Sequence, residues 1–160
     1  MKLVRWRVLL PVAFLVTLSA PALRALSIGP YLPDPWLLLV VGCVPARASD
    51  RLRYSTQVVF VLGWLRASVS AVSPWSCWAG LAGALFLRER VHRHISEESI
   101  LLRFFVGALA ASPPTALDWL ESSRLGLERA WTEPLFAVVW VGAFWAIVRR
   151  PGPRRLRLDR

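Results

Sequence analysis

The sequence predicts an all-α, polytopic membrane protein with about six transmembrane helices, and three observations carry that prediction. Hydrophobic residues make up 56 % of the 160 residues and charged residues only 19 %, against about 25 % charged in soluble domains. A chain this short buries too little surface to hide so much apolar material in its own core. Apolar runs recur along its length, and Lys and Arg gather in alternate gaps between them, the bias that marks cytoplasmic loops.

The runs place helices at 8–26, 33–46, 54–70, 74–88, 101–119 and 133–149. The first follows Lys2, Arg5 and Arg7, and its basic start, apolar middle and Ala20-Pro21-Ala22 end also resemble a secretory signal. A proline inside that triplet and Arg24 just beyond it disfavour cleavage, which would leave five spans without inverting the rest. The second helix is the shortest. Pro35 to Ala46 covers only about 18 Å at 1.5 Å per residue, where a span needs about 20 residues. Flanking arginines extend such spans by snorkelling, and Trp36, Trp75 and Trp131 near helix ends suit the interfacial belt. Pro113-Pro114 should kink or end the fifth helix, and the "DWLESSRLGLERAW" segment after it has the pattern of a short amphipathic helix on the outer surface. Residues 1–150 thus form a six-helix integral membrane domain, and 151–160 a basic cytoplasmic tail.

The charge distribution orients this bundle. Lys2, Arg5 and Arg7 precede the first run; Arg47, Arg51 and Arg53 lie between the second and third. Arg88, Arg90, Arg93 and Arg103 lie between or beside the fourth and fifth. Arg149, Arg150, Arg154, Arg155, Arg157 and Arg160 follow the sixth. Sixteen of the twenty basic residues therefore fall on one side, leaving Arg24, Arg66, Arg124 and Arg129 on the other. An even number of spans with both termini in the cytoplasm produces this split; an odd number would scatter it.

The same placement argues against nucleic acid as a partner despite the net charge of +10, because the basic residues flank spans and leave no aromatic-rich polar face. Cys43 and Cys77 lie in apolar segments without CxxC spacing and read as small apolar fillers. No phosphate loop, nucleophile elbow or HExxH pattern occurs. His92, His94, Glu97 and Glu98 are metal-capable but have no ligand geometry in their spacing and read as a solvated linker. Asp118, Glu121, Glu128 and Glu133 fall at or beyond the outer end of the fifth span with nothing to orient them. No acidic residue occupies the centre of a span, which argues against a proton relay. The expectation is a non-enzymatic protein with no cofactor, metal or catalytic residue. What the spans offer is packing surface: Ala79 with Gly83, Gly80 with Ala84 and Gly107 with Ala111 are small residues four apart.

The stretch "GWLRASVSAVSPWSCWAG" (63–80) carries one arginine, Arg66. It falls near the outer end of the third span, where its guanidinium need only reach the interface. The second reading is a partly buried arginine facing a partner or a cavity. Gly63, in an otherwise bulky run, leaves a backbone groove for close helix approach, either within the bundle or from another protein.

Length, six spans, cytoplasmic ends, a very short second helix introduced by "LPDPWLLLVV", and "GWLRASVSAVSPW" across the third-to-fourth turn together resemble the rod shape-determining protein MreD family. Pro33 and Asp34 match that family's Pro-Asp approach to the second span. Gly63 and Leu65 match its Gly-Leu-Leu-x-Asp motif, with Trp64 at a leucine position and Arg66 at the variable one; Pro74 matches the later proline. "LRERVHRHISEESILLR" resembles the family's basic loop before the fifth span. Ala67 departs from the usual aspartate, and Trp75-Ser76 replaces Leu-Gly. The resemblance implies a scaffold of the bacterial cell-elongation (peptidoglycan synthesis) machinery in the inner membrane, among membrane lipid. Its partner would be an MreC-like protein, and through it MreB, RodA and a penicillin-binding transpeptidase. Gly63, Trp64, Leu65, Arg66 and Pro74 are then the candidate partner-contact residues. The family's fold is similar to that of the substrate-binding subunits of energy-coupling-factor vitamin transporters, so a transporter subunit is the alternative. A vitamin site needs converging polar side chains, and the spans offer chiefly Thr17, Ser55, Thr56 and Gln57.

Overall fold

The fold, taken from a computed structural model, is described for residues 6–45, 51–94, 99–127 and 130–148. It is all-helical over these residues: α1 (Trp6–Arg24), a single 3-10 turn (Gly29–Tyr31), α2 (Pro35–Cys43), α3 (Leu52–Ala67), α4 (Pro74–His94), α5 (Ile100–Arg124) and α6 (Thr132–Val148). Successive helices alternate in direction. The late residues of α3 and α5 therefore meet the first residues of α2, while the late residues of α4 and α6 meet its last ones.

The nine-residue α2 is the centre of the bundle, packed against α1, α3, α4 and α6. Its Trp36, Leu37, Val40 and Val41 are fully buried. A helix so short and so enclosed must have its free backbone groups satisfied by protein, because the four N–H groups and four C=O groups at its ends have no partners within the helix. Asp34 is the N-cap: its Oδ1 accepts from the N–H groups of Trp36 (3.0 Å) and Leu37 (3.2 Å), and Pro35 at the first helical position donates nothing that would need a partner. At the other end Pro45 has no N–H to offer the Val41 carbonyl four residues back. Arg88 of α4 supplies the missing donor, with Nη1 2.7 Å from Val41 O and Nη2 donating to Pro45 O. Its guanidinium also lies over the Trp145 ring of α6, 5.2 Å from the centroid. Arg88 was expected in a cytoplasmic loop; it is instead fully buried, because α4 runs on to His94 and keeps it inside the bundle.

Small residues set the closest helix contacts. A Cβ on Gly107 of α5 would fall 2.6 Å from Trp145 Cβ and 2.8 Å from the Val141 carbonyl, and one on Gly80 of α4 would fall 2.9 Å from Pro114 Cα. The small-residue spacing thus serves packing inside this chain at both crossings.

Of the two outcomes expected at Pro113 and Pro114, a kink or an end, the second does not occur: both lie inside α5. Pro113 leaves the Leu109 carbonyl without its usual N–H donor, and Ser112 Oγ takes that role at 2.8 Å; the helix continues to Arg124. The first half of the segment expected to be a separate surface helix, 118–124, is therefore the last turns of α5. The stop comes at Gly126, whose φ of +67° accompanies bonds from Leu127 N–H to Ser122 O and from Gly126 N–H to Ser123 O. This is a Schellman termination with glycine in the left-handed position.

The exterior is apolar. Val8, Phe14, Leu15 and Leu18 of α1, Phe86 of α4, Phe105 of α5 and Ile147 of α6 are all exposed, a coverage well beyond the isolated apolar residues of a soluble monomer. Two helices, α1 and α5, are long and apolar enough to cross a membrane. The remaining helices do not all reach that length: α2 rises only about 14 Å against a hydrocarbon core of about 30 Å.

Candidate functional site

Asp34, Arg66 and Asp118 come from three separate helix ends and meet at one point. Arg66 Nη2 lies 2.8 Å from Asp34 Oδ2 and 2.5 Å from Asp118 Oδ2. Arg66 is only 2 % exposed, whereas the two carboxylates keep 14 % and 22 % exposure. Both therefore converge on a single guanidinium nitrogen, while Nε and Nη1 have no hydrogen-bond partner among the described residues. The triad carries two negative charges and one positive one.

Of the two readings of Arg66, an interfacial guanidinium or a buried one facing a partner or a cavity, the structure fits the second: its side chain turns into the bundle, because two carboxylates at the same level offset the loss of hydration that burial imposes on a cation. Trp36 is likewise not interfacial. It is fully buried, donates through Nε1 to Thr17 Oγ1 at 3.2 Å, and lies under the Arg24 guanidinium at 5.5 Å.

The triad forms part of the wall of a pocket of about 570 Å³ at this end of the bundle. The end of α1, the link into α2, the α3–α4 turn, α5 and the start of α6 enclose it, with Trp119, Thr115 and Pro134 among its walls. Among the described residues, the charged ones that line it are Arg24, Arg66, Asp34, Asp118 and Glu133. The volume is within the range of about 300–1,000 Å³ typical of small-molecule sites. Converging polar groups of the kind a ligand site requires are thus present, but they come from helix ends and not from Thr17, Ser55, Thr56 and Gln57. Of these four, Thr17, Ser55 and Thr56 donate their hydroxyls to the backbone carbonyl four residues earlier.

Glu121 also has a defined place. It accepts from Ser73 N–H (2.6 Å) and Ser73 Oγ (2.7 Å), and from Ser76 Oγ. It thereby completes the N-terminal cap of α4 and fixes the α3–α4 turn against α5.

The candidate partner-contact residues divide. Gly63 is buried, and a Cβ there would fall 2.1 Å from Trp78 Cδ1; the groove it leaves is filled by this chain's own tryptophan. Trp78 stacks on Phe60 (centroids 5.3 Å) and meets Trp64 and Trp75 edge-on at 5.5 and 5.2 Å. Trp64 is 53 % and Trp75 77 % exposed, so the two rings and Phe60 present an aromatic face on α3 and α4. Leu65 and Pro74 are half-buried. His92 is half-buried and His94 exposed, while Glu97, Glu98 and Glu128 lie outside the described residues.

Sequence reasoning placed Arg66 and Asp118 at the same end of the bundle, and it identified Asp34 as a motif residue. It missed their meeting. The available signal was charge at matching depth: an isolated cation at one helix end and isolated carboxylates at two others. In comparisons with protein-family models, curated proteins and solved structures, the chain matches none.

Proposed function

We propose that the chain is a non-enzymatic, multi-pass scaffold in the bacterial inner membrane, working in cell elongation and binding an MreC-like partner through the aromatic face of α3 and α4. The observation that carries this reading is the convergence of the two stretches behind the MreD resemblance. Pro33-Asp34 and Gly63–Arg66 are far apart in sequence, yet Asp34 and Arg66 form an ion pair at 2.8 Å. The same end of the bundle holds Pro74, Trp64 and Trp75. Exposed tryptophans clustered on one face favour association, since aromatic residues are enriched where proteins bury one another. The alternating helix directions and the basic residues outside one end support six crossings with both termini cytoplasmic, α2 crossing only part of the bilayer.

The test is co-purification of the full-length chain with an MreC-like protein from membranes. Trp64→Ala and Trp75→Ala remove exposed rings without opening the core, so both variants should insert at normal abundance. The expected result is loss of co-purification together with rounded cells. Unchanged co-purification and rod shape in the double variant would overturn the reading.

A further inference from the structure

We propose that the bundle thins the cytoplasmic leaflet of the bilayer along its α3–α4 face. The inference rests on the reading of the chain as a multi-pass membrane protein with cytoplasmic termini, and goes beyond it. The partner contact at Trp64 and Trp75 lies at the outer end of that face; the thinning concerns its inner half.

Contacts between antiparallel neighbours put the helices on one scale of height. Trp78 of α4 stacks on Phe60 and lies against Gly63 of α3, while Gly80 and Gly83 of α4 face Pro114 and Pro113 of α5. These crossings bring Trp64, Trp75 and Leu120 to one level, and Arg53, Phe86 and Leu109 to another. The approach of Gly107 to Val141 and Trp145 brings Leu101 level with the end of α6.

The outer edge of the apolar surface is common to α3, α4 and α5, where Trp64, Trp75 and Leu120 are all exposed. The inner edges differ. On α5 apolar exposure continues inward through Leu109 and Phe105 to Leu101, and on α6 to Ile147. Leu120 to Leu101 rises about 29 Å, which matches a hydrocarbon core of about 30 Å. Arg103, within this stretch, turns aside to the Ala146 carbonyl of α6. On α4 the exposed apolar run ends at Phe86, about 17 Å from Trp75, and Arg90 follows it at the surface. On α3, Arg53 and Gln57 are exposed, the first level with Phe86 and the second a turn further out. A core of uniform thickness would enclose both, where polar side chains facing lipid are costly. The long stem of Arg53 can snorkel toward water; the short stem of Gln57 cannot. Drawing the cytoplasmic boundary outward on this side, by up to the rise of about 12 Å between the levels of Leu109 and Leu101, hydrates both. Bilayers thin in this way around short apolar surfaces.

Two spin labels at nearly one level read the difference. Thr56→Cys on α3 and Leu109→Cys on α5, both at exposed positions, are labelled separately in the full-length chain carrying Cys43→Ala and Cys77→Ala. The chain is reconstituted without a partner into dioleoylphosphatidylcholine vesicles, and oxygen and nickel-chelate accessibilities give the depth of each label. Leu109 lies slightly nearer the cytoplasmic end than Thr56, so a uniform bilayer leaves both labels deep in the hydrocarbon. The expected result is a Thr56 label at the headgroups and a Leu109 label about 10 Å deeper, close to the difference between the two inner edges. Arg53→Leu, Gln57→Leu and Arg90→Leu together extend the apolar surface and should carry the Thr56 label to the depth of the Leu109 label. Two equally deep labels in the parent chain, or a Thr56 label that the triple variant does not move, would overturn the thinning and leave the multi-pass reading standing. Full nickel access to both labels would overturn the multi-pass reading, and the thinning with it.

Discussion

Replacing Arg66 with methionine isolates the triad energetically. Arg66 Nη2 is 2.8 Å from Asp34 and 2.5 Å from Asp118, so without it two carboxylates face each other across the vacated space. Two like unit charges about 5 Å apart repel by about 3 kcal/mol at an effective dielectric of about 20. Breaking a buried pair by removing one partner costs about 3–5 kcal/mol in general. With both carboxylates partly exposed, the expected loss for Arg66→Met is about 3 kcal/mol, read from sodium dodecyl sulfate unfolding in mixed micelles followed by far-ultraviolet circular dichroism. The triple variant Asp34→Asn, Arg66→Met, Asp118→Asn provides the control. Asparagine caps a helix as well as aspartate, so α2 keeps its start and no unpaired charge remains. It should recover at least about 2 kcal/mol relative to Arg66→Met, since neutral replacement of a buried ion cluster is often close to neutral in stability. A loss below about 1 kcal/mol for Arg66→Met, or a triple variant less stable than the single one, would refute the reasoning.

Two further outcomes are expected in the same unfolding assay. Arg88→Leu leaves the Val41 and Pro45 carbonyls without their side-chain donor; at about 1–3 kcal/mol for each buried group left unsatisfied, it should be among the most damaging single changes, and hydrogen exchange in α2 should rise with it. Gly63→Leu collides with Trp78 and should lose about 1–3 kcal/mol by overpacking; adding Trp78→Ala should restore part of that loss, which a partner-facing glycine would not show.

The element boundaries were largely legible because hydropathy and flanking charge act locally. The start of α2 was written in Pro33-Asp34-Pro35, and α4 begins at Pro74, as expected. What escaped was set by side-chain partners, one of them local and the others distant. Whether Pro113 ends a helix depends on a neighbour able to bond the Leu109 carbonyl, and Ser112 supplies that bond. Arg66 kept two readings, interfacial or buried, because one charge in an apolar stretch carries no information about carboxylates brought to it from α2 and α5. Gly63 had two readings of equal standing from spacing alone, and only the position of Trp78 separates them. The pocket could not be read at all, since its walls come from most of the bundle's elements.

The two buried arginines answer different needs. Arg88 bonds backbone carbonyls that no residue of α2 can satisfy, one of them orphaned by Pro45, so a donor at that place follows from burying a short helix. Arg66 bonds only side chains. Asparagine at position 34 would cap α2 equally well, and apolar residues at 66 and 118 would fill the same space without placing charge in the bundle. Buried ion clusters seldom stabilise a fold more than well-packed apolar residues do. The backbone therefore accounts for Arg88 but leaves the Asp34–Arg66–Asp118 charges unexplained, and these are the charges that line the pocket.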